Sequence, residues 1–136
     1  MTAEQQQIEE FMEKRRQLLE KCSGAPQDLD TMMALYAENA SFTPPREPRK
    51  GDKGTIREFY ERNCRAFPNR EFIPVGQPSI RLCNSTTAIV NQETHVILKD
   101  RNGKVVADFY GRETFTLVKQ KDRWVILDHT TSRSPE

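Results

Sequence analysis

The chain has 136 residues, which is the usual size of one domain and too short for two ordinary ones. Its 21 Lys and Arg residues balance 20 Asp and Glu residues, and a net charge of +1 gives no global field that favours nucleic acid or an anionic membrane. Only 35% of the residues are hydrophobic, but these residues recur periodically, so a folded domain with a modest core is expected. We predict a single domain over residues 1–136.

No apolar run reaches the roughly 18 to 20 residues of a membrane span, and the N-terminal residues lack the order of a signal peptide. We therefore expect a cytoplasmic protein. Cys22, Cys64 and Cys83 are an odd number at wide spacings, so reduced thiols are expected rather than a disulfide framework or a zinc site. His95 and His129 have no nearby Cys or paired acidic ligands, and no Gly-rich phosphate loop is present, so neither a metal nor a cofactor is predicted.

Three amphipathic helices are predicted in the first half of the chain. From Ala3 to Lys21 the apolar residues recur every three or four positions, and Arg15 falls among them. Asp28 is placed to cap a second helix that ends near Asn39. Asp52 is placed to cap a third helix, whose apolar side chains share one side.

After Pro68 the apolar period changes from 3.6 to 2, which predicts strands in the second half. The predicted strands cover residues 72–76, 79–83, 86–99, 104–119 and 124–132. Asp100–Gly103 is a strong hairpin signal between the two longest strands. The proline-rich residues 44–51 exclude regular structure and indicate an ordered loop or a lid. This order predicts an α+β fold with helices on one face of an antiparallel sheet.

Three segments carry a recognisable pattern: residues 28–40 (DLDTMMALYAENA), Gly54–Tyr60 (GTIREFY) and Trp124–Ser132 (WVILDHTTS). In this order they resemble segments of SnoaL-like proteins in the nuclear transport factor 2-like superfamily, over about residues 3–134. The resemblance implies a cystatin-like cone, in which a strongly curved antiparallel sheet wraps three N-terminal helices and leaves an apolar pocket.

The superfamily includes ketosteroid isomerases, polyketide cyclases, dehydratases, epoxide hydrolases, binding proteins and the association hub of calcium/calmodulin-dependent protein kinase II. The fold alone therefore does not specify a function. The isomerase pattern places its general-base Asp at Thr43 of this chain, and the first helix has no Tyr for the oxyanion hole, so ketosteroid isomerase is disfavoured. The hub pattern is similar to this chain through its second half, including Pro78, Gly103 and Glu113.

The alternation along each predicted strand indicates which side chains face the pocket. Glu113 is a single carboxyl on an otherwise apolar stripe, and the resemblance places Asp128 on an inward face as well. A buried carboxylate must be paired or neutralised, so Glu113 and Asp128 are the predicted catalytic residues. In the alternative, Glu113 pairs with Arg81 or Arg112 at a subunit interface and Asp128 faces water. The predicted ligand-binding residues are Tyr60, Val90, Gln92, Thr94, Phe109, Trp124, Ile126 and Thr130.

The same alternation puts His95 and His129 on the outer face of the sheet, where superfamily members often dimerise. An interface role is therefore favoured for both histidines. The outer face also keeps an apolar patch, which predicts a homodimer. The patch consists of Ile89, Ile97, Val125 and Leu127.

The sequence thus predicts a homodimer or a larger ring that binds a small apolar or polyketide-like molecule in the cone. Asp128 or Glu113 would move a proton in a cofactor-free isomerisation, cyclisation or hydration. The alternative is a hub-like oligomerisation module, which a ring of ten or more subunits would favour. Nucleic acid and membranes are not expected partners, and the basic loop around Arg49 is interpreted as solvated.

Overall fold

In the computed structural model, which describes residues 1–134, three helices pack against six strands. The last two residues of the predicted domain, 135 and 136, lie outside the described residues. The helices are α1 (Ala3–Lys21), α2 (Pro26–Met33) and α3 (Lys53–Ala66). The strands are β1 (Tyr36–Thr43), β2 (Asn69–Pro74), β3 (Ser79–Asn84), β4 (Thr87–Lys99), β5 (Val105–Gln120) and β6 (Arg123–Ser134).

The ends of the helices follow local capping chemistry. Thr2 and Gln5 form a reciprocal capping box at the start of α1. The prediction that Asp52 caps α3 is confirmed, because its carboxylate accepts a hydrogen bond of 2.9 Å from the Thr55 N–H. Asp28 is not a cap: Ala25 holds that position in α2, and Asp28 instead accepts hydrogen bonds from the Ser23 backbone and hydroxyl.

The second helix is shorter than predicted. It ends at Met33, and the segment from Tyr36 onward, which was expected to remain helical as far as Asn39, is strand β1. The reason is long-range, because β1 pairs in parallel with β6, and this pairing satisfies its backbone groups. Tyr36 therefore projects from the sheet.

The sheet is mixed rather than purely antiparallel. Its strand order is β1-β6-β5-β4-β2, and β3 also pairs with β4, so that β2 and β3 follow one another along the same edge. The pairs β4–β5 and β5–β6 are antiparallel, as predicted, whereas β1–β6 is parallel. The predicted α+β cone with helices against a curved sheet is confirmed.

A bulge in β6 reverses the inward and outward faces along that strand. Ile126 pairs with Leu117, but the next pair joins Asp128 to Thr116, so Leu127 is an extra residue in β6. Beyond Leu127 the alternation is therefore shifted by one position. The predicted faces are wrong for this half of the strand: His129 points inward and Asp128 points outward.

Cys22 and Cys64 form a disulfide, which contradicts the expectation of reduced thiols. Cys22 directly follows α1 and Cys64 lies on α3, so the bond joins two helices that are distant in sequence but packed together. Both cysteines are buried, whereas Cys83 is an exposed free thiol. Structural disulfides are typical of oxidising compartments, so the cysteines no longer support a cytoplasmic location. None of the helices within residues 1–134 is both long and apolar enough to cross a bilayer.

We predict that replacing Cys64 with Ala lowers the free energy of unfolding by about 2–4 kcal/mol, because the bond closes a long loop in the unfolded chain. Urea unfolding followed by Trp124 fluorescence measures the change. Cys83→Ser is the matched control and should leave the midpoint unchanged. Equal midpoints for the Cys64→Ala variant and the wild type would show that the disulfide does not stabilise the fold.

Candidate functional site

Two cavities meet at the centre of the cone. The first, which we call the aromatic cavity, has about 120 Å³, lies between the helices and the inner face of the sheet and is rich in aromatic side chains. Its phenylalanines are Phe42, Phe59, Phe67, Phe72 and Phe109. The second, of about 280 Å³, is more polar and opens between α1 and the link from β2 to β3. Arg15 and Glu113 line both cavities, so this pair forms the wall between them.

Glu113 on β5 is the acceptor at the centre of this wall. Its carboxylate lies 2.8 Å from His129 Nε2 and accepts a hydrogen bond of 3.0 Å from Gln92 Nε2. A longer contact of 3.4 Å comes from the Thr94 hydroxyl, and Arg15 Nη2 lies 3.9 Å away. Burial works to raise the pKa of Glu113, but the His129 hydrogen bond and the Arg15 charge outweigh it and hold that pKa at about 2. Glu113 is therefore ionised at neutral pH.

His129 on β6 is buried between two aromatic rings. Its ring centroid lies 4.4 Å from that of Phe42 and 4.1 Å from that of Phe115, and both pairs are stacked. Burial is the main reason that the pKa of His129 falls to about 4, even though Glu113 acts in the opposite direction. At neutral pH the imidazole is therefore neutral, and its Nε2–H donates to Glu113 while Nδ1 accepts.

A chain of hydrogen bonds links Arg15 to Glu113 through three aromatic side chains. Arg15 Nη2 donates to the Tyr60 hydroxyl at 3.3 Å, and the hydroxyls of Tyr60 and Tyr36 lie 2.6 Å apart. The Tyr36 hydroxyl lies 3.4 Å from His129 Nδ1. One consistent direction satisfies every member: Arg15 donates to Tyr60, Tyr60 to Tyr36, Tyr36 to His129 and His129 to Glu113. Such a polarised chain is stronger than its separate members.

Arg15 on α1 supplies the positive charge that faces Glu113. It is only 4% exposed, and its guanidinium carbon lies 4.7 Å from the centroid of the Phe115 ring. Burial works to lower the pKa of Arg15, but the two tyrosine hydroxyls and the Glu113 carboxylate outweigh it and raise that pKa above its ordinary value. Arg15 and Glu113 are thus a buried pair of opposite charges.

The structure brings together only some of the predicted ligand-binding residues. Tyr60 and Phe109 line the aromatic cavity, and Gln92 and Thr94 line the polar one. Three others lie in the hydrophobic core and line neither cavity: Val90, Trp124 and Ile126. Thr130 is exposed on the outer face because of the bulge in β6, and Thr131 lines the aromatic cavity in its place.

Asp128 is separated from the site by the thickness of the sheet. It accepts a hydrogen bond of 2.5 Å from the Ser41 hydroxyl, between β6 and β1. Its predicted inward position is therefore wrong. The alternative pairing of Glu113 with Arg81 or Arg112 is not found either, because Glu113 is held by Arg15 and His129, and Arg81 donates to Asn91.

The inward position of His129 is the largest difference from the prediction. Tyr36 is a second site residue that the sequence pattern does not indicate, because the pattern predicts a helix there. Arg15 did carry a signal in the sequence, since a charged residue in an apolar helical stripe marks a buried partner. His95 does lie on the outer face, where it contacts Asp108 at 2.6 Å and stacks on Tyr110. Over residues 1–134, no three His, Cys, Asp or Glu side chains are grouped so that they could bind a metal ion.

Comparisons with known proteins agree with this architecture. Residues 23–135 match the family described as the SnoaL-like domain, and the chain belongs to this family. No curated protein matches the sequence.

Several solved structures share the fold. One, from Xanthomonas campestris, is provisionally described as a calcium/calmodulin-dependent protein kinase II association domain; it is 22% identical, with a TM-score of 0.78 over 95% of this chain and 86% of that one. Another, from Novosphingobium aromaticivorans, is provisionally described as a scytalone dehydratase, at 17% identity and a TM-score of 0.81 over 96% and 84% of the two chains. A ketosteroid isomerase-like protein from Erwinia carotovora is 17% identical, with a TM-score of 0.80 over both full lengths.

We predict that acid destabilises the fold through His129. The unfolded histidine binds a proton below a pKa of 6.5 and the folded one only below about 4, so the stability it contributes is complete above pH 6.5 and is lost as the pH falls towards 4. Glu113 adds a further loss between pH 4.5 and about 2. Urea unfolding at about pH 7 and about pH 4.5 should differ by roughly 1–3 kcal/mol in the wild type.

The His129→Gln variant should lose most of this pH dependence between 6.5 and 4, although it is less stable at neutral pH. His95→Gln is the matched control, because His95 lies on the outer face, and it should keep the wild-type dependence. An undiminished pH dependence in His129→Gln would contradict the assignment.

Proposed function

We propose that this chain binds a small, mostly apolar molecule in the cone pocket and transfers a proton within it through Glu113, without a cofactor. The reaction class is an isomerisation, cyclisation or hydration at a carbon next to a carbonyl group. The observation that carries the proposal is the buried Arg15–Glu113 pair at the wall of an aromatic cavity. A buried ion pair is weak evidence for stability, since apolar residues of similar size often serve a core equally well.

The size and lining of the cavity support a ligand of about one ring. A dry cavity of about 150 Å³ holds a benzene-sized molecule, and the aromatic cavity has about 120 Å³. Six of its lining side chains are Phe or Tyr, and Arg15, whose Nε has no hydrogen-bond partner among the described residues, offers a donor at one end. A ligand whose ring packs among the phenylalanines would therefore direct a carbonyl oxygen towards Arg15.

Each polar side chain of the site has a different role in the proposed reaction. Glu113 is the carboxylate that lines the aromatic cavity, whereas Glu9, Glu13 and Glu93 line only the polar one. Glu113 would therefore accept the proton from the ligand carbon and return it to another atom. Arg15 would stabilise the negative charge that develops on the ligand oxygen, while the Tyr60 hydroxyl stays committed to Tyr36. His129 acts as a positioning residue, because its Nε2–H holds the carboxylate in place. Since the pKa of Glu113 is about 2, only a carbon acid activated by a bound carbonyl would react.

Acetophenone is a suitable probe, because it has one ring and exchangeable protons next to a carbonyl. We expect the wild-type chain to bind it and to accelerate exchange of those protons in D₂O, followed by proton NMR. Glu113→Gln should reduce the exchange rate by about 100-fold or more. Gly111→Val should abolish binding, because a larger side chain there would extend past Thr131 and Val96 into the cavity.

Two control variants sharpen this test. Thr114→Val changes the same strand on its exposed outer face and should leave binding intact. Asp128→Asn changes the other acidic residue predicted from the sequence, and exchange should continue at the wild-type rate. The proposal fails if acetophenone does not bind, or if exchange in the presence of protein equals that in buffer.

We further propose that the chain forms a homodimer through the outer face of the sheet. One member of the predicted apolar patch, Val125, is buried in the core. Two residues outside that patch, Ile73 and Tyr110, are 43% and 41% exposed. They flank His95 in one row across β2, β4 and β5. An exposed apolar row on a sheet face favours self-association.

Light scattering after size-exclusion chromatography should give a dimer for the wild type and a monomer for Tyr110→Arg, which places a charge in the proposed interface. Gln120→Arg, at the exposed last residue of β5, is the control and should remain dimeric. A wild-type monomer would exclude the dimer. A ring of ten or more subunits would instead favour the hub-like module.

A further inference from the structure

A second buried arginine lines the aromatic cavity and, within the described residues, has no carboxylate at salt-bridge distance. Arg70, near the start of β2, is only 8% exposed. Its Nη2 donates to the backbone carbonyl of Leu19, close to the end of α1, and its guanidinium carbon lies 5.3 Å from the centroid of the Phe72 ring. Within residues 1–134 its Nε is buried without a hydrogen-bond partner, and no carboxylate oxygen lies within 4.0 Å of its nitrogens.

The residues that line the aromatic cavity therefore carry a net positive charge. The Arg15 cation is matched by the Glu113 carboxylate, and His129 is neutral at neutral pH. Burial lowers the pKa of Arg70 to about 10, although the Glu20 carboxylate acts in the opposite direction from beyond salt-bridge distance, and the guanidinium is still charged at neutral pH. Glu20 is itself paired with Arg16 at 3.1 Å. Among the described residues that line this cavity, the net charge is thus +1.

The hydrogen bond to the end of α1 accounts for only part of the burial of the Arg70 guanidinium. Carbonyl groups at a helix C-terminus favour a nearby cation, and the Leu19 carbonyl uses one Arg70 nitrogen. Nothing in the described chain uses Nε or Nη1. Burying a charge without a counter-ion is costly, and a bound anion would remove that cost.

We propose that the ligand of the cone pocket carries a single negative charge on oxygen and that Arg70 binds this oxyanion. The inference rests on the proposed function, since it names the charge of the molecule held in the same pocket. The cavity admits about one ring, so the ligand is a one-ring carboxylic acid or an acidic phenol or enol. Arginine forms charge-assisted hydrogen bonds with such oxygens, and Phe67 and Phe72 beside Arg70 would contact the ring.

Pairs of probes that differ in charge but hardly in shape test this proposal. Benzoate is compared with benzamide, and 4-nitrophenolate with nitrobenzene, by NMR titration of the full chain at about pH 8.5, where both acids are ionised. We expect the wild type to bind at least one of the anions about tenfold more tightly than its neutral counterpart, which corresponds to about 1.4 kcal/mol. The pair that shows the preference identifies the ligand as a carboxylate or a phenolate.

Substitutions then assign the preference to Arg70. Arg70→Gln removes the charge but keeps a donor for the Leu19 carbonyl, so the preference should fall to about twofold or less while the neutral probes bind as before. Arg70→Lys keeps the charge and should retain most of the preference. Arg65→Gln is the matched control: Arg65 also donates to a backbone carbonyl, that of Gly24 at 3.2 Å, but it does not line the cavity, and the preference should persist.

Two results would overturn the inference and leave the pocket in place: equal binding of anions and neutral probes by the wild type, or an anion preference that survives in Arg70→Gln. If none of the four probes binds, and acetophenone does not bind either, the proposed function itself fails. The wild-type comparison needs no substitution, so an Arg70 variant that does not fold leaves the test intact.

Discussion

The buried pair of Arg15 and Glu113 is the constraint on which the site depends. One charge comes from α1 and the other from the sheet, and burying either without the other would cost several kcal/mol. The helix must therefore pack at the one position on the sheet where the two charges meet. Gln92 and Thr94 from β4 and His129 from β6 complete the shell of the carboxylate, so the same polar contacts also fix three neighbouring strands relative to α1.

The aromatic side chains around this pair strengthen its electrostatic interactions, because they exclude water. Rings of Phe42 and Phe115 cover both faces of His129 and exclude water from it, which keeps the imidazole neutral and the local dielectric low. Proteins of very different description share this fold at low sequence identity. The architecture is therefore compatible with different functions and does not by itself specify one for this chain.

The apolar periodicity predicted the parts of the fold that are determined locally. The bounds of α1, the start of α3 at its Asp52 cap and the inward position of Glu113 all follow from side chains close in sequence. The features that were not predicted depend on contacts between distant residues. Tyr36 lies in a segment of good helix formers and becomes a strand only because β6 is beside it, and the Cys22–Cys64 bond requires α1 and α3 to be packed already.

The extra residue Leu127 determines which side chains of β6 face the interior, and this affects how the chain is aligned with its homologues. A single inserted residue decides whether Asp128 or His129 reaches the interior, so two homologues that differ only in having this insertion would direct opposite sets of side chains into the cone. Matching such sequences column by column, without a gap at this position, would equate a pocket residue of one protein with a surface residue of the other. Evolution could in this way exchange the acid–base groups of the cone by adding or deleting one residue, with no substitution at all.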